Sequence, residues 1–162
     1  MAFDAFLVIK GPDVEGESKD SVYAGNIDII SWNWGMSQTG SFAMGGGGGV
    51  GKASFQDISI TKYVDNSTPT LMQYITNGKH FESGKIVCRK AGGEKIEYMV
   101  IELSKILVSS LSVGGSNGDE QLIETISLNF AEFKVIYTNQ NNDGTKGTEV
   151  PFHYIIEENK EV

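Results

Sequence analysis

The chain is poor in cysteine and histidine, which many catalytic and metal sites use. It has one cysteine, Cys88, which excludes an internal disulfide and any multi-cysteine zinc site. Its two histidines, His80 and His153, lie far apart in the sequence, and no nucleophile or metal-ligand motif surrounds them. We therefore expect no enzymatic activity, no cofactor and no bound metal.

Basic residues and long hydrophobic runs are also scarce. The 13 Lys and Arg residues are outnumbered by 21 Asp and Glu residues, giving a net charge of −8. This balance argues against a general nucleic-acid binder, because such binding depends on cations that displace counterions from phosphates. The N-terminal stretch MAFDAFLVIK contains Asp4 and no preceding basic region, so it predicts neither a secretory signal nor a membrane span. We expect cytoplasmic synthesis and no membrane insertion.

What the chain does contain is typical of β-structure. Val, Ile, Thr, Phe and Tyr recur in short runs, and many of its 20 glycines lie between those runs. A length of 162 residues suits one domain with one core. The sequence predicts a single mostly β domain over residues 1–162, folded as a small antiparallel barrel or two-sheet sandwich. Its predicted strands span residues 2–10, 26–35, 53–64, 85–90, 95–104, 106–113, 122–137 and 150–157.

The segment NSTPTLMQYITNG breaks this β-pattern. It offers a capping hydroxyl at Ser67 or Thr68, a proline in the first turn, apolar residues at helical spacing and a closing Gly78. These signals predict an α-helix over residues 67–77. We expect its apolar face to plug one end of the barrel.

Two predicted strands have more apolar side chains than one sheet face holds. In residues 2–10, Phe6 and Val8 lie opposite a first apolar face, so another sheet or another subunit must cover them. The run over residues 122–137 changes the parity of its apolar residues near Ala131 and Glu132. This change indicates either a bulge or a strand that leaves its own core to meet a partner.

The glycine run MGGGGGVGKAS imitates a phosphate-binding loop. The spacing from Gly46 to Lys52 fits that motif, but Ala53 replaces the required hydroxyl residue, and the residues that follow alternate as a strand does. We therefore interpret residues 36–52 as a long extended loop for protein contact, since long loops in compact domains are usually functional or disordered.

The stretch SWNW combines two kinds of face in one strand. Trp32 and Trp34 share one side, which suits core anchors, while Ser31 and Asn33 share the other. A strand face whose side chains are polar but uncharged suits a surface that lines a water-filled cavity.

Several segments, in order and spacing, carry a family resemblance that covers most of residues 1–137: SWNWGMSQTGS, MGGGGGVGKAS, ITKYVDNSTPTLM, NGKH, CRKAGGEKIEYMVIEL, ILVSS and LNFAEFKVIY. They closely resemble the haemolysin-coregulated protein (Hcp) family of bacterial type VI secretion systems. The resemblance implies a structural tube subunit, a small barrel with one helix that forms hexameric rings. These rings stack into a phage-tail-like tube, are expelled without a cleaved signal and hold small effector proteins in the lumen. The implied partners are the chain itself, a spike protein, a sheath and the effectors.

The resemblance also implies roles for particular residues. Asn33 is the first candidate for touching cargo in the lumen, and Ser31 is the second. Gly92 and Gly93 resemble the turn on one ring face. The extended loop implies contact with a neighbouring ring or the spike through Met44, Gly45, Gly46, Gly47, Gly48, Gly49, Gly51 and Lys52. The alternative function is a monomeric β-barrel module that binds a carbohydrate or adhesin-like ligand.

Overall fold

The computed structural model describes residues 3–40 and 51–162. Within them the chain is mostly β with one short helix, as predicted. No helix in this part of the chain is long and apolar enough to cross a membrane. The elements are β1 (Phe3–Lys10), β2 (Ile27–Asp28), β3 (Ser31–Asn33), β4 (Met36–Ser37), β5 (Ser54–Phe55), β6 (Ile58–Tyr63), α1 (Ser67–Asn77), β7 (Phe81–Lys90), β8 (Glu97–Gly114), β9 (Ile123–Gln140), β10 (Lys146–Ile155) and β11 (Lys160–Glu161).

Nine of the strands form one antiparallel sheet that folds over a single main core. Its path runs β11-β10-β9-β8-β7-β1-β2, and a branch adds β6 to β9 and β3 to β6. The two longest strands, β8 and β9, each have 18 residues and stay paired along most of their length. On its other edge β9 pairs with β6 as far as Leu128 and with β10 from Glu132 onward. The sheet therefore doubles back at that point into two layers.

The predicted barrel is not closed by a continuous ladder. The expected strand over residues 26–35 is split into β2, which pairs with β1, and β3, which pairs with β6. Between them the N–H of Ile29 donates to the carbonyl of Ala5, and that of Ile30 donates to the carbonyl of Thr61, both at 2.9 Å. The chain crosses here from the edge of β1 to the edge of β6. One hydrogen bond to each of these strands takes the place of a continuous ladder.

The change of parity in β9 lies opposite an unusual backbone position in β8. The two strands predicted over residues 95–104 and 106–113 are one strand, β8, in which Lys105 adopts a left-handed φ of 54°. Ser104 pairs with Glu132 and Ile106 with Phe130, so Lys105 lies opposite Ala131 and this ladder has no bulge there; its register shift lies between Val108 and Ser110. A bend at Lys105 brings both halves of β8 and β9 onto the same core.

The helix is confirmed over Ser67–Asn77, and Gly78 ends it with a left-handed φ of 69°. Its start differs in detail from the prediction. The Asp65 carboxylate accepts the N–H of Ser67 at 2.9 Å, and the Thr68 hydroxyl accepts the N–H of Asp65 at 3.2 Å. A carboxylate and a hydroxyl thus cap the first turn reciprocally.

The helix connects β6, which ends at Tyr63, to β7, which begins at Phe81 opposite Ile106 of β8. Leu71 is fully buried in the core, and the Tyr74 ring stacks on Phe81 with centroids 4.1 Å apart. Its apolar face therefore covers one side of the core.

The second apolar face of β1 is covered by the chain itself, and not by another sheet or subunit as we expected. Phe6 and Val8 are buried with Val87 beneath Tyr23, which belongs to residues 11–26. We call this segment the strap. The rings of Phe6 and Tyr23 stack with centroids 4.8 Å apart. A loop between β1 and β2 is sufficient here because the face it covers is narrow.

Charged side chains fasten the strap to the sheet. Buried Arg89 of β7 binds the Asp20 carboxylate of the strap and also Asp4, and Arg89 holds the pKa of Asp20 well below its usual range. The Tyr23 hydroxyl donates to Glu97 of β8 at 2.5 Å. Burial is the main cause that raises the pKa of Tyr23, and the hydrogen bond to the Glu97 carboxylate raises it further.

Candidate functional site

Strand β3 places its polar side chains outward, as the sequence predicted. The indole N–H of Trp32 donates to the Cys88 Sγ at 3.1 Å, and Trp34 packs against the aromatic part of the core. Both indoles therefore hold the strand from inside, while Ser31 and Asn33 are exposed on the opposite side. Burial raises the pKa of the Cys88 thiol, which favours the uncharged form in this contact.

Strand register extends these two side chains into two polar rows. In each row, directly paired residues of β3, β6, β9 and β8 follow one another across the sheet. Every member is Ser, Thr or Asn, and none is charged. We call this surface the hydroxyl face; its rows are Ser31, Thr61, Thr125 and Ser112, and Asn33, Ser59, Ser127 and Ser110.

The hydroxyl face exists because polar and aliphatic residues alternate in these strands. Ile58 and Ile60 of β6, and Ile126 and Leu128 of β9, point to the opposite side and are completely buried. From the sequence we predicted only the β3 members, Ser31 and Asn33. The other members of the face lie in the alternating patterns ISIT, ETISL and VSSLS, which place them on one side of their strands. Only the strand register shows that these residues lie side by side.

The two ends of the hydroxyl face differ in chemistry. At one end Asp57 accepts hydrogen bonds from the Ser109 hydroxyl at 2.6 Å and from the Asn129 amide at 2.8 Å. At the other end the exposed side chains are Tyr63 and Ile123. The face between them presents neutral donors and acceptors, which suit many polar protein surfaces and supply no catalytic group. Among residues 3–40 and 51–162, no three His, Cys, Asp or Glu side chains are placed to hold a metal ion.

A buried ion pair lies on the core side of the same strands. Lys62 of β6 is directly opposite Glu124 of β9, and both side chains are completely buried. The Lys62 Nζ donates to Glu124 and, at 3.0 Å, to the Asp65 carboxylate. The Thr68 hydroxyl also donates to Glu124, at 2.8 Å. This network joins the helix start to β6 and β9, and nothing in the local sequence pattern predicted it.

The predicted extended loop leaves the barrel as a two-stranded ribbon. Met36 and Ser37 pair with Phe55 and Ser54, next to the Asp57 end of the hydroxyl face. The indole N–H of Trp34 reinforces the base of the ribbon by donating to the Gln56 carbonyl at 2.8 Å.

The described residues include both ends of this loop. Gly51 and Lys52 are exposed on the returning side of the loop. The predicted contact residues at 44–49 lie outside the described residues: Met44, Gly45, Gly46, Gly47, Gly48 and Gly49. Strands β5 and β6 follow the glycine run, so it lacks the helix that a phosphate-binding loop needs.

The other predicted ring-face position is an exposed hairpin turn between β7 and β8. The N–H of Lys90 donates to the Ile96 carbonyl at 3.0 Å and closes the turn. Gly93 has a φ of 65°, which favours glycine, and Gly92 precedes it. The turn is far from the hydroxyl face in the chain and does not contribute to it.

Comparison with known proteins assigns the family. A family model described as "Type VI secretion system effector, Hcp" matches residues 6–137. The chain is 52% identical over 161 residues to Protein hcp1 of Pseudomonas aeruginosa, covering 98% of each protein. Hcp1 of Salmonella typhimurium superposes with a TM-score of 0.82 at 31% identity over 100% of both chains. A solved type six secretion system protein shares the fold with a TM-score of 0.93 at 24% identity, covering 99% of this chain and 100% of that one. The chain therefore belongs to the Hcp family, the tube-subunit family of type VI secretion systems.

Proposed function

We propose that this tube subunit assembles into hexameric rings whose lumen is lined by the hydroxyl face, and that the rings stack into the secretion tube. The role of the family is structural and its members are secreted. The alternative of a monomeric carbohydrate-binding or adhesin-like module has no support in the family assignment.

The observation that carries the assembly proposal is an apolar patch beyond the core. Past Phe133, the cover over β9 ends: Val135 still packs against the core, and Tyr137 on the same face is exposed. Tyr137 and its partner Val150 of β10 are 47% and 58% exposed, and neighbouring Phe152 is 39% exposed. Adjacent large apolar side chains of this kind are typical of protein interfaces. A neighbouring copy would cover them, as the sequence suggested for a strand that leaves its own core.

The hydroxyl face supports the cargo part of the proposal. Its neutral side chains offer hydrogen bonds without imposing a charge on the protein they contact. Asn33 and Ser31 lie on β3, the outermost strand of this face, where they are exposed. We assign them the first contacts with small effector proteins.

Cargo contact can be tested with Asn33→Trp. A bulky ring at this position would intrude on the lumen while Trp32 and Trp34 keep β3 in place, so we expect intact rings that retain far less effector. Asn142→Trp, in the exposed turn after β9, is the matched control. The measurement is mass spectrometry of proteins that co-purify with the tagged chain from its own bacterium. Equal retention by both variants would contradict the assignment.

The remaining partners follow from the family role. The loop over residues 36–52 would contact a neighbouring ring or the spike protein, the Gly92–Gly93 turn would lie on a ring face, and the sheath would surround the outer wall. We also propose export from the bacterial cytoplasm without a cleaved signal. In support, the apolar N-terminal stretch is strand β1, which pairs along its whole length with β7 and is therefore part of the folded domain.

A further inference from the structure

The turn between β8 and β9 carries an exposed Asn–Gly pair. Asn117 and Gly118 are the central residues of a β-turn, which the Asp119 N–H closes by donating to the Ser116 carbonyl at 3.0 Å. Both central residues are exposed, and Gly118 has a φ of 105°. Asn and Gly are common in turns because they adopt such conformations easily. The pair also brings a side-chain amide next to a backbone nitrogen.

The two groups of this pair that can react with each other are not hydrogen-bonded. Among residues 3–40 and 51–162, neither the Asn117 side-chain amide nor the Gly118 N–H has a hydrogen-bond partner. The nearby Asp119 carboxylate accepts the Ser116 N–H instead, at 2.9 Å. A Cβ added at Gly118 would meet no atom within 4 Å, so no group from elsewhere crowds this residue. The Gly118 nitrogen is therefore free to approach the Asn117 side chain.

The sequence contains one other Asn–Gly pair, and the fold protects it. Asn77 is the last residue of α1, and Gly78 ends the helix. An N–H at the end of a helix points along the axis to the carbonyl four residues back, so the Gly78 nitrogen is turned away from the Asn77 side chain. That side chain is also held, since its Oδ1 accepts the Lys79 N–H at 2.9 Å. The same two residues thus lie in opposite structural settings at the two sites.

We propose that Asn117 is a site of spontaneous deamidation. The Gly118 nitrogen gives its proton to a base from the solvent and attacks the Asn117 Cγ. The new N–C bond closes a five-membered succinimide ring, and the Cγ–Nδ2 bond breaks to release ammonia. Water then adds to either ring carbonyl and opens the ring, which leaves aspartate or isoaspartate. No enzyme is needed, because the reacting atoms are already neighbours in one short segment.

Deamidation changes both the charge and the shape of the loop over residues 115–122. Each event adds one carboxylate beside Asp119 and Glu120, in a loop that contains no Lys or Arg. Isoaspartate also adds a methylene to the main chain inside the turn. The loop follows the last pair of the β8–β9 ladder, Gly114 with Ile123. An aged chain therefore differs from a fresh one at the Ile123 end of the hydroxyl face.

The test follows both Asn–Gly pairs of the full chain in mildly alkaline buffer, once folded and once in concentrated urea. Trypsin cleaves at Lys105, which lies between the two pairs, so each pair is in its own peptide. Mass spectrometry of these peptides measures the amide lost at Asn77 and at Asn117. Asn117→Gln is the control variant: its side chain would have to close a six-membered ring, so position 117 should keep its amide.

In the folded chain we expect Asn117 to lose its amide about tenfold faster than Asn77, with both isomeric products present. In urea the two rates should become similar, since only the local sequence remains. Equal rates in the folded chain, or an Asn117 amide that persists there, would overturn the proposal. A rate ratio that stays the same in urea would overturn the protection assigned to α1. Aspartate as the single product would overturn the ring-forming route.

Discussion

Arg89 shows how a single charged residue stabilises this fold. It is nearly completely buried, where an unpaired cation would be costly, and its partners are Asp20 of the strap and Asp4 of β1. The Arg89 guanidinium also lies over the Phe6 ring, with its carbon 4.9 Å from the ring centroid. Arg89 therefore makes a cation–π contact in addition to its ion pairs. This guanidinium group therefore holds the strap to the sheet together with the Tyr23–Glu97 hydrogen bond.

The Asp20–Arg89 pair makes stability depend on pH. The pKa of Asp20 is lower in the folded protein than its value of about 3.9 in unfolded chains. Its contribution is therefore complete above about pH 4 and is lost as the pH falls toward the folded pKa. We predict that Asp20→Asn melts below the wild type at pH 7 and that the difference shrinks steadily between pH 4 and pH 2, measured by circular dichroism.

Asp13→Asn is the matched control for that prediction. Asp13 forms only an exposed pair with Lys10 at 3.5 Å, so its loss should leave the melting temperature nearly unchanged at pH 7. A melting difference for Asp20→Asn that stays constant down to pH 2 would show that Asp20 stabilises the strap by packing and not by charge.

At the scale of elements, the Lys62–Glu124 pair fixes how β6 and β9 align. The alternation of Ile with Ser and Thr in both strands would tolerate a slip of two residues, since the aliphatic residues would still face inward. Such a slip would separate the two buried charges and leave the Glu124 carboxylate without its cation. The pair therefore selects the register that assembles the hydroxyl face.

Removing Lys62 alone should be far worse than removing both members of this pair. Glu124→Leu should cost less, because Lys62 keeps its pair with Asp65. We predict that Lys62→Met lowers the free energy of unfolding by about 3–5 kcal/mol, because it leaves the buried Glu124 carboxylate without a cation. The double variant should recover much of that loss, measured by urea denaturation. Additive losses in the double variant would contradict a direct coupling between the two residues.

The elements also show what the sequence could and could not predict. The helix over residues 67–77 was correct because its signals, from the proline to Gly78, are local. The division of residues 26–35 into β2 and β3 was missed, since it depends on which distant strands they meet. Phe6 and Val8 were correctly seen as needing cover, but the strap that covers them has too little regular pattern to be predicted. The hydroxyl face was found only at Ser31 and Asn33, because register is a long-range property.

At the scale of the whole molecule, the exposed patch at Tyr137, Val150 and Phe152 is the proposed subunit interface. We predict that Val150→Glu prevents ring assembly while leaving the circular dichroism spectrum unchanged, because a carboxylate there faces the neighbouring copy. Val22→Glu is the matched control, since Val22 is 70% exposed on the strap and away from the patch. Light scattering should give about six times the 17.6 kDa chain mass for the control and a smaller particle for Val150→Glu.

If Val150→Glu assembles into rings as Val22→Glu does, the patch is not the subunit interface. The two variants carry the same change in charge, so a general effect of added acidity would appear in both.

Electron cryomicroscopy of the purified protein would show whether the hydroxyl face lines the lumen of a hexameric ring. We expect a sixfold ring in which Ser31 and Asn33 face the central channel, with the Tyr137 and Val150 patch buried between neighbours. A map of an isolated chain, or of a ring with Ser31 and Asn33 on its outer wall, would contradict it.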